Sequence, residues 1–164
     1  MDPHRTRLPL PLGVLEAIAN FMVGNHQWQA AVGVMLGVCL YLRPGELRSI
    51  QFDQLIRPGV HLGYPSWSLV LNPKEKGIAS KTGQYDDLVA VDGRLLTILE
   101  KPLLMLKSSK RASDFLMPLS AKDFNDLFKQ ACTHLHLQVL SPVPYHMRHS
   151  GASMDVAEKL RTLQ

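Results

Sequence analysis

Apolar residues recur along this chain with two different periods, and the change of period divides it. From Leu12 onward, Val14, Leu15, Ile18, Phe21 and Met22 fall at helical spacing. Before them lies an extended lead-in, residues 1–11, in which Pro9 and Pro11 disfavour a helix. A second helix is expected from Gln27 to Tyr41; it is apolar nearly all round and so belongs deep in the core. Arg43-Pro44-Gly45 reads as the turn that ends it, with a further helical stretch from Glu46 to Phe52.

The period then shortens to two. Ser66–Leu71 and Asp87–Val91 alternate like strands. The polar connection between them, holding Lys74, Lys76 and Lys81, makes an irregular hairpin with a basic tip or second edge. Helical spacing resumes over 93–106 and 121–135, with Ser120 and Asp123 placed to cap the second of these. A loop with Pro142 and Pro144 leads into a last helix from Met147 to Leu163. The expected fold is mainly α with a small antiparallel β-hairpin or sheet, an α+β class, forming one domain over residues 12–164.

Composition narrows the picture only a little. A chain of 164 residues can bury a substantial core, and its amino-acid usage is that of a globular protein. The formal charge of +4 suits a nucleic-acid partner without requiring one. Cys39 and Cys132 are too few for a disulfide framework and read as buried thiols in a reducing compartment. Trp28 and Trp67 read as core residues. The apolar run from Ala30 to Leu42 falls short of the roughly 20 residues a bilayer span needs. The first residues lack the apolar stretch of a secretory signal. A soluble intracellular protein with no membrane partner is expected, nuclear in a eukaryote and otherwise cytoplasmic.

Three short strings carry the candidate chemistry: Leu42-Arg43-Pro44-Gly45-Glu46-Leu47, Ser80-Lys81-Thr82-Gly83, and Tyr145-His146-Met147-Arg148-His149-Ser150-Gly151-Ala152. Two guanidiniums and an ammonium are what one phosphodiester needs. Arginine grips phosphate oxygens as a bidentate fork, and lysine can also release a proton. Basic residues beginning a helix are an odd choice against the positive end of its dipole, unless an anion sits there. Taken alone, Arg43 with Glu46 could equally be a surface ion pair, and a lysine near a hairpin is usually just solvated. His134-x-His136 lacks converging Cys or acidic partners and reads as two surface histidines. A Gly-rich phosphate loop and a Ser-His-Asp pattern are both missing.

In order and flanking residues the three strings resemble the catalytic domain of the tyrosine recombinases, the phage-type integrases. That family carries Gly-Leu-Arg-x-x-Glu-Leu at a helix junction, and Leu42, Arg43, Glu46 and Leu47 match it in register. The resemblance implies that Arg43 is the first catalytic arginine and Glu46 its supporting acid. It places the mobile hairpin lysine on Lys81, as general acid to the leaving 5′ oxygen, with Lys76 as runner-up. The family's His-x-x-Arg-His aligns Arg148 as the second catalytic arginine and Tyr145 at the family histidine, with His146 one place later. A tyrosine can hydrogen-bond a phosphate oxygen there, but its pKa near 10 makes it a poor base at neutral pH. The residues expected against DNA are Arg43, Lys76, Lys81, His146, Arg148 and His149.

The implied chemistry is strand cleavage and rejoining through a 3′-phosphotyrosine, with no metal or ATP, on double-stranded DNA, and with self-association on that DNA as a further option. Family members supply the nucleophilic tyrosine well beyond the second arginine. Here no tyrosine follows Tyr145 and the sequence given stops at Gln164. The resemblance therefore covers residues 12–160 as a C-terminally truncated catalytic domain, expected to be inactive alone. Two other readings stay open: a non-catalytic DNA-binding relic or domesticated module, and a helical interaction domain whose basic positions are incidental.

Overall fold

A computed structural model describes residues 8–59, 66–77, 87–91 and 93–162. Helix α1 (Leu12–Gly24) starts directly after Pro11, where the lead-in prolines end. Its Leu15, Ile18, Ala19 and Met22 face inward at the expected spacing. They meet α2 (Trp28–Cys39), in which every residue from Ala30 to Val38 is buried. A helix buried all round must be enclosed on every side, and α2 is packed by α1, α4 and α6.

The end of α2 is built on a strained residue. Tyr41 has φ 52°, in the left-handed region. The Leu42 amide turns back to the Gly37 carbonyl at 3.1 Å, the closing bond of a Schellman cap. Tyr41 stands where the recombinase string has glycine, the residue for which this conformation carries no Cβ penalty.

Arg43-Pro44-Gly45 is not a turn that ends before a helix; it is the beginning of one. Helix α3 (Pro44–Ser49) takes Arg43 as N-cap and Pro44 as first residue, where the missing amide proton would have had no partner. The chain then passes through a 3₁₀ turn, Phe52–Gln54, into a strand the alternation did not predict. That strand, β1 (Leu55–Ile56), has two residues and so no period to read. With β2 (Ser68–Leu71) and β3 (Asp87–Ala90) it makes a three-stranded antiparallel sheet in the order β1-β2-β3. Leu55 pairs with Leu69, and Leu69 with Val89.

Helix α4 (Gly93–Ser109) contains Pro102. Near its end the Lys107 ammonium donates to the carbonyls of Phe52 (3.3 Å) and Leu55, joining helix to sheet. Burial pulls the Lys107 pKa down, Arg57 adds to that, and Asp53 opposes it. Helix α5 (Ala121–His134) begins as the sequence indicates, the Ser120 hydroxyl accepting from the Asp123 amide at 3.0 Å. Helix α6 (His146–Thr162) closes the structure against α2.

Two features of α6 fix that packing. A Cβ at Gly151 would lie inside the contact distance of the Val38 carbonyl oxygen and 2.6 Å from Tyr41 Cδ1, so only glycine lets the helices approach this closely. The Ser150 hydroxyl is fully buried and accepts from the Leu10 amide at 2.8 Å, tying the lead-in to α6.

The architecture is thus mainly helical with a small antiparallel sheet. Of the two tryptophans, Trp67 is fully buried, but Trp28 is 50% exposed, against expectation. Trp28 is the first residue of α2, ahead of the enclosed stretch that begins at Ala30. Cys132 is buried, Cys39 partly so, and neither forms a disulfide. No helix among the described residues is long and apolar enough to cross a membrane.

Candidate functional site: two arginines on one carboxylate

The first and third sequence strings meet at Glu46. Its Oε2 accepts from the Arg43 backbone amide at 2.7 Å, so the side chain reaches back to the N-cap from the third helical position. A guanidinium has no acceptor with which to return that bond. The Arg43 side chain instead folds onto the same carboxylate, Nη1 to Oε1 at 3.3 Å. Arg148, in the first turn of α6, approaches from the other end of the sequence, Nη1 to Oε2 at 3.7 Å. Both guanidiniums thus face one carboxylate, on different oxygens.

A second interaction holds Arg148 in place. Its Nη1 donates to the Tyr41 carbonyl at 3.0 Å, joining positions 107 residues apart. The left-handed turn at Tyr41 lies at the C-terminal end of α2, where a helix leaves carbonyls without internal partners. The cap of α2, the start of α3 and the first turn of α6 therefore converge on two arginine heads.

Among the described residues the charge balance of this cluster is unequal, two cations to one anion. The side chains of Arg43, Glu46 and Arg148 are each about a third exposed, at 36%, 34% and 35%. Ion pairs that open to water contribute little stability, on the order of 0–1 kcal/mol. Glu46 offsets one positive charge and lies beside both guanidiniums, each of which keeps further N–H donors. What remains is a net positive, solvent-reaching pair with donors to spare, the arrangement that binds an oxyanion.

The other expected site residues fall in several places. Tyr145 is partly buried beside α6, its ring 5.0 Å from the His149 ring in an edge-on contact. Tyr145 also lines a groove of about 770 Å³ with Pro44, Arg48, Phe128, Lys129 and Pro144. His146 does not present itself to a ligand: it is 4% exposed, and its Nδ1 accepts from the Val143 amide at 3.0 Å. At the first position of α6 its ring turns back onto the Pro142–Pro144 loop and serves as a local brace. Lys76 is engaged by Asp53 at 2.7 Å and by the side-chain carbonyls of Gln51 and Gln54. Its ammonium holds a 3₁₀ turn, Lys74–Lys76, against the Phe52–Gln54 turn. Lys81 lies outside the described residues.

Two contributors went unread in the sequence. Tyr41 acts through a main-chain carbonyl, and its one sequence signal is a tyrosine where the matched string has glycine. Arg48, one turn beyond Pro44 on α3, adds a second basic group to the face that Tyr145 shares. Among the described residues no three His, Cys, Asp or Glu side chains gather as a metal site. In comparison with known proteins, no protein-family model and no curated protein matches this chain.

Proposed function

We propose that the Arg43–Glu46–Arg148 cluster binds a DNA phosphodiester, and that the chain is the phosphate-gripping part of a tyrosine-recombinase-type catalytic domain. One observation carries the reading: arginines from the first and third sequence strings lie on one carboxylate, part-exposed, with donors to spare. In this reading the guanidiniums hold the two non-bridging oxygens and stabilise the charge that grows on them as phosphorus is attacked. Glu46 keeps both heads in register and is not itself a proton carrier. Tyr145 and His149 flank the first turn of α6 and take the sugar–phosphate beside the gripped group. Lys81 is assigned the proton for the leaving 5′ oxygen, from the sequence string alone.

Cleavage needs a hydroxyl nucleophile as well, and no tyrosine follows Tyr145 in these 164 residues. The activity proposed for the Arg43–Glu46–Arg148 cluster is the DNA-holding part of that chemistry. Fluorescence anisotropy with a labelled duplex tests it. The double variant Arg43→Ala, Arg148→Ala should bind at least about a hundredfold more weakly, since each charged hydrogen-bond partner contributes about 1.5–3 kcal/mol. Equal affinity of the double variant and the parent overturns the assignment. Denaturing electrophoresis after incubation with a nicked duplex then separates strand cleavage from holding. A covalent adduct marks an enzyme, and binding with no adduct marks a DNA-holding module.

A further inference from the structure

We infer that Tyr41 is a positioning residue for the anion site: its left-handed backbone turns its carbonyl onto Arg148 and thereby sets where the second guanidinium points. The inference rests on the phosphate-binding reading above and adds a residue that touches no phosphate.

Arg148 has two described anchors, and they differ in kind. Its approach to Glu46, at 3.7 Å, is a charge interaction without a good hydrogen bond. Its bond to the Tyr41 carbonyl, at 3.0 Å, has ordinary hydrogen-bond length and so fixes direction as well as distance. The carbonyl is available because the chain reverses at Tyr41 with φ 52°. The Leu42 amide closing on Gly37 and the fully covered Leu42 side chain hold that reversal. The Tyr41 ring lies against α6 at Gly151. Backbone strain maintained by its surroundings beside a charged cluster is a common way to store orientation at a site. A β-branched residue here would push the backbone out of the left-handed region and swing the carbonyl off Arg148, whereas glycine would leave it in place.

The test compares Tyr41→Val with Tyr41→Gly in two measurements. In cold-solution NMR, the Arg148 guanidinium protons are identified as the signals that vanish in Arg148→Ala. They should stay slowly exchanging in the parent and in Tyr41→Gly, and broaden into exchange in Tyr41→Val. In DNA binding, the log-log salt slope of Tyr41→Val should fall as far as that of Arg148→Ala, while Tyr41→Gly keeps the parent slope. The double variant Tyr41→Val, Arg148→Ala should lose no more than Arg148→Ala alone. Should the valine variant fail to fold, Tyr41→Ala, which bears the left-handed turn at lower cost, should keep the parent slope and slow exchange as Tyr41→Gly does, and a lowered slope there overturns the role of the Tyr41 backbone. A lowered slope in Arg148→Ala with a parental slope in Tyr41→Val overturns the role of Tyr41. An unchanged slope in Arg148→Ala overturns the phosphate reading beneath it.

Discussion

Arg148 and Glu46 face each other at 3.7 Å, one from the first turn of the last helix and the other from a helix near the first third of the chain. Glu46 also takes the Arg43 amide at 2.7 Å. One carboxylate therefore caps α3 and draws two guanidiniums to one place. Glu46→Ala should cost about 1–2 kcal/mol, most of it from the missing cap, because the exposed ion pairs add little. Glu46→Gln, which still accepts from the Arg43 amide, should lose less than half of that. Urea unfolding at constant m-value checks both; equal losses would mean that the charge outweighs the cap.

Among the described glycines, Gly151→Ala should be the most damaging substitution. The added carbon meets the Val38 carbonyl oxygen and the Tyr41 ring, and a main-chain oxygen in a helix cannot step aside. Forced overpacking of this kind costs about 1–3 kcal/mol. It should also separate α6 from α2 and so loosen Arg148. A shift in unfolding free energy below about 0.5 kcal/mol would show that the helices part without strain.

Ser150→Ala leaves the buried Leu10 amide without its acceptor. The expected loss is about 1–3 kcal/mol, the cost of an unsatisfied buried donor. Hydrogen exchange at Leu10 should rise toward that of an open chain, while α2 stays protected. Unchanged protection at Leu10 would place its hydrogen bond elsewhere.

Cys132 gives a pH signature. Burial pushes its thiol up to about 11 from 9.0. Between those values the unfolded chain has released the proton and the folded chain has kept it. Stability should therefore fall as pH rises from 9 toward 11, and Cys132→Ala should flatten that part of the profile. The native thiol should also resist alkylation near neutral pH, since the thiolate is the reactive form. Fast modification there would contradict the burial.

The helices were legible because their signal is local. Leu12, Ser120 and the proline-marked loop before α6 set boundaries that the structure keeps within a few residues. The run from Ala30 to Val38 announced a central helix by being apolar on every side. What escaped was decided by distant partners. β1 exists because β2 offers Leu69 and Ser68 to a two-residue segment. Trp28 is exposed because the cover on α2 begins after it, and an apolar side chain does not say where its neighbours end. At the site, the arginines and Glu46 were named from the strings, yet that they share one carboxylate is a fact of three-dimensional packing. The partners of His146 and Lys76 escaped for the same reason: a basic side chain in a basic string can serve a ligand, or it can hold a backbone amide or an aspartate.

Arg43 and Arg148 are proposed to hold one phosphate together, and the most direct test is the salt dependence of duplex-DNA binding. The parent, Arg43→Ala, Arg148→Ala and the double variant are compared, with folding checked by circular dichroism. Each single variant should lower the log-log slope in part, and the double variant by about 0.9 in all, the value of the one neutralised phosphate they share. Parental slopes in both single variants would mean that the two arginines meet at Glu46 for structure alone, and the phosphate assignment would fall.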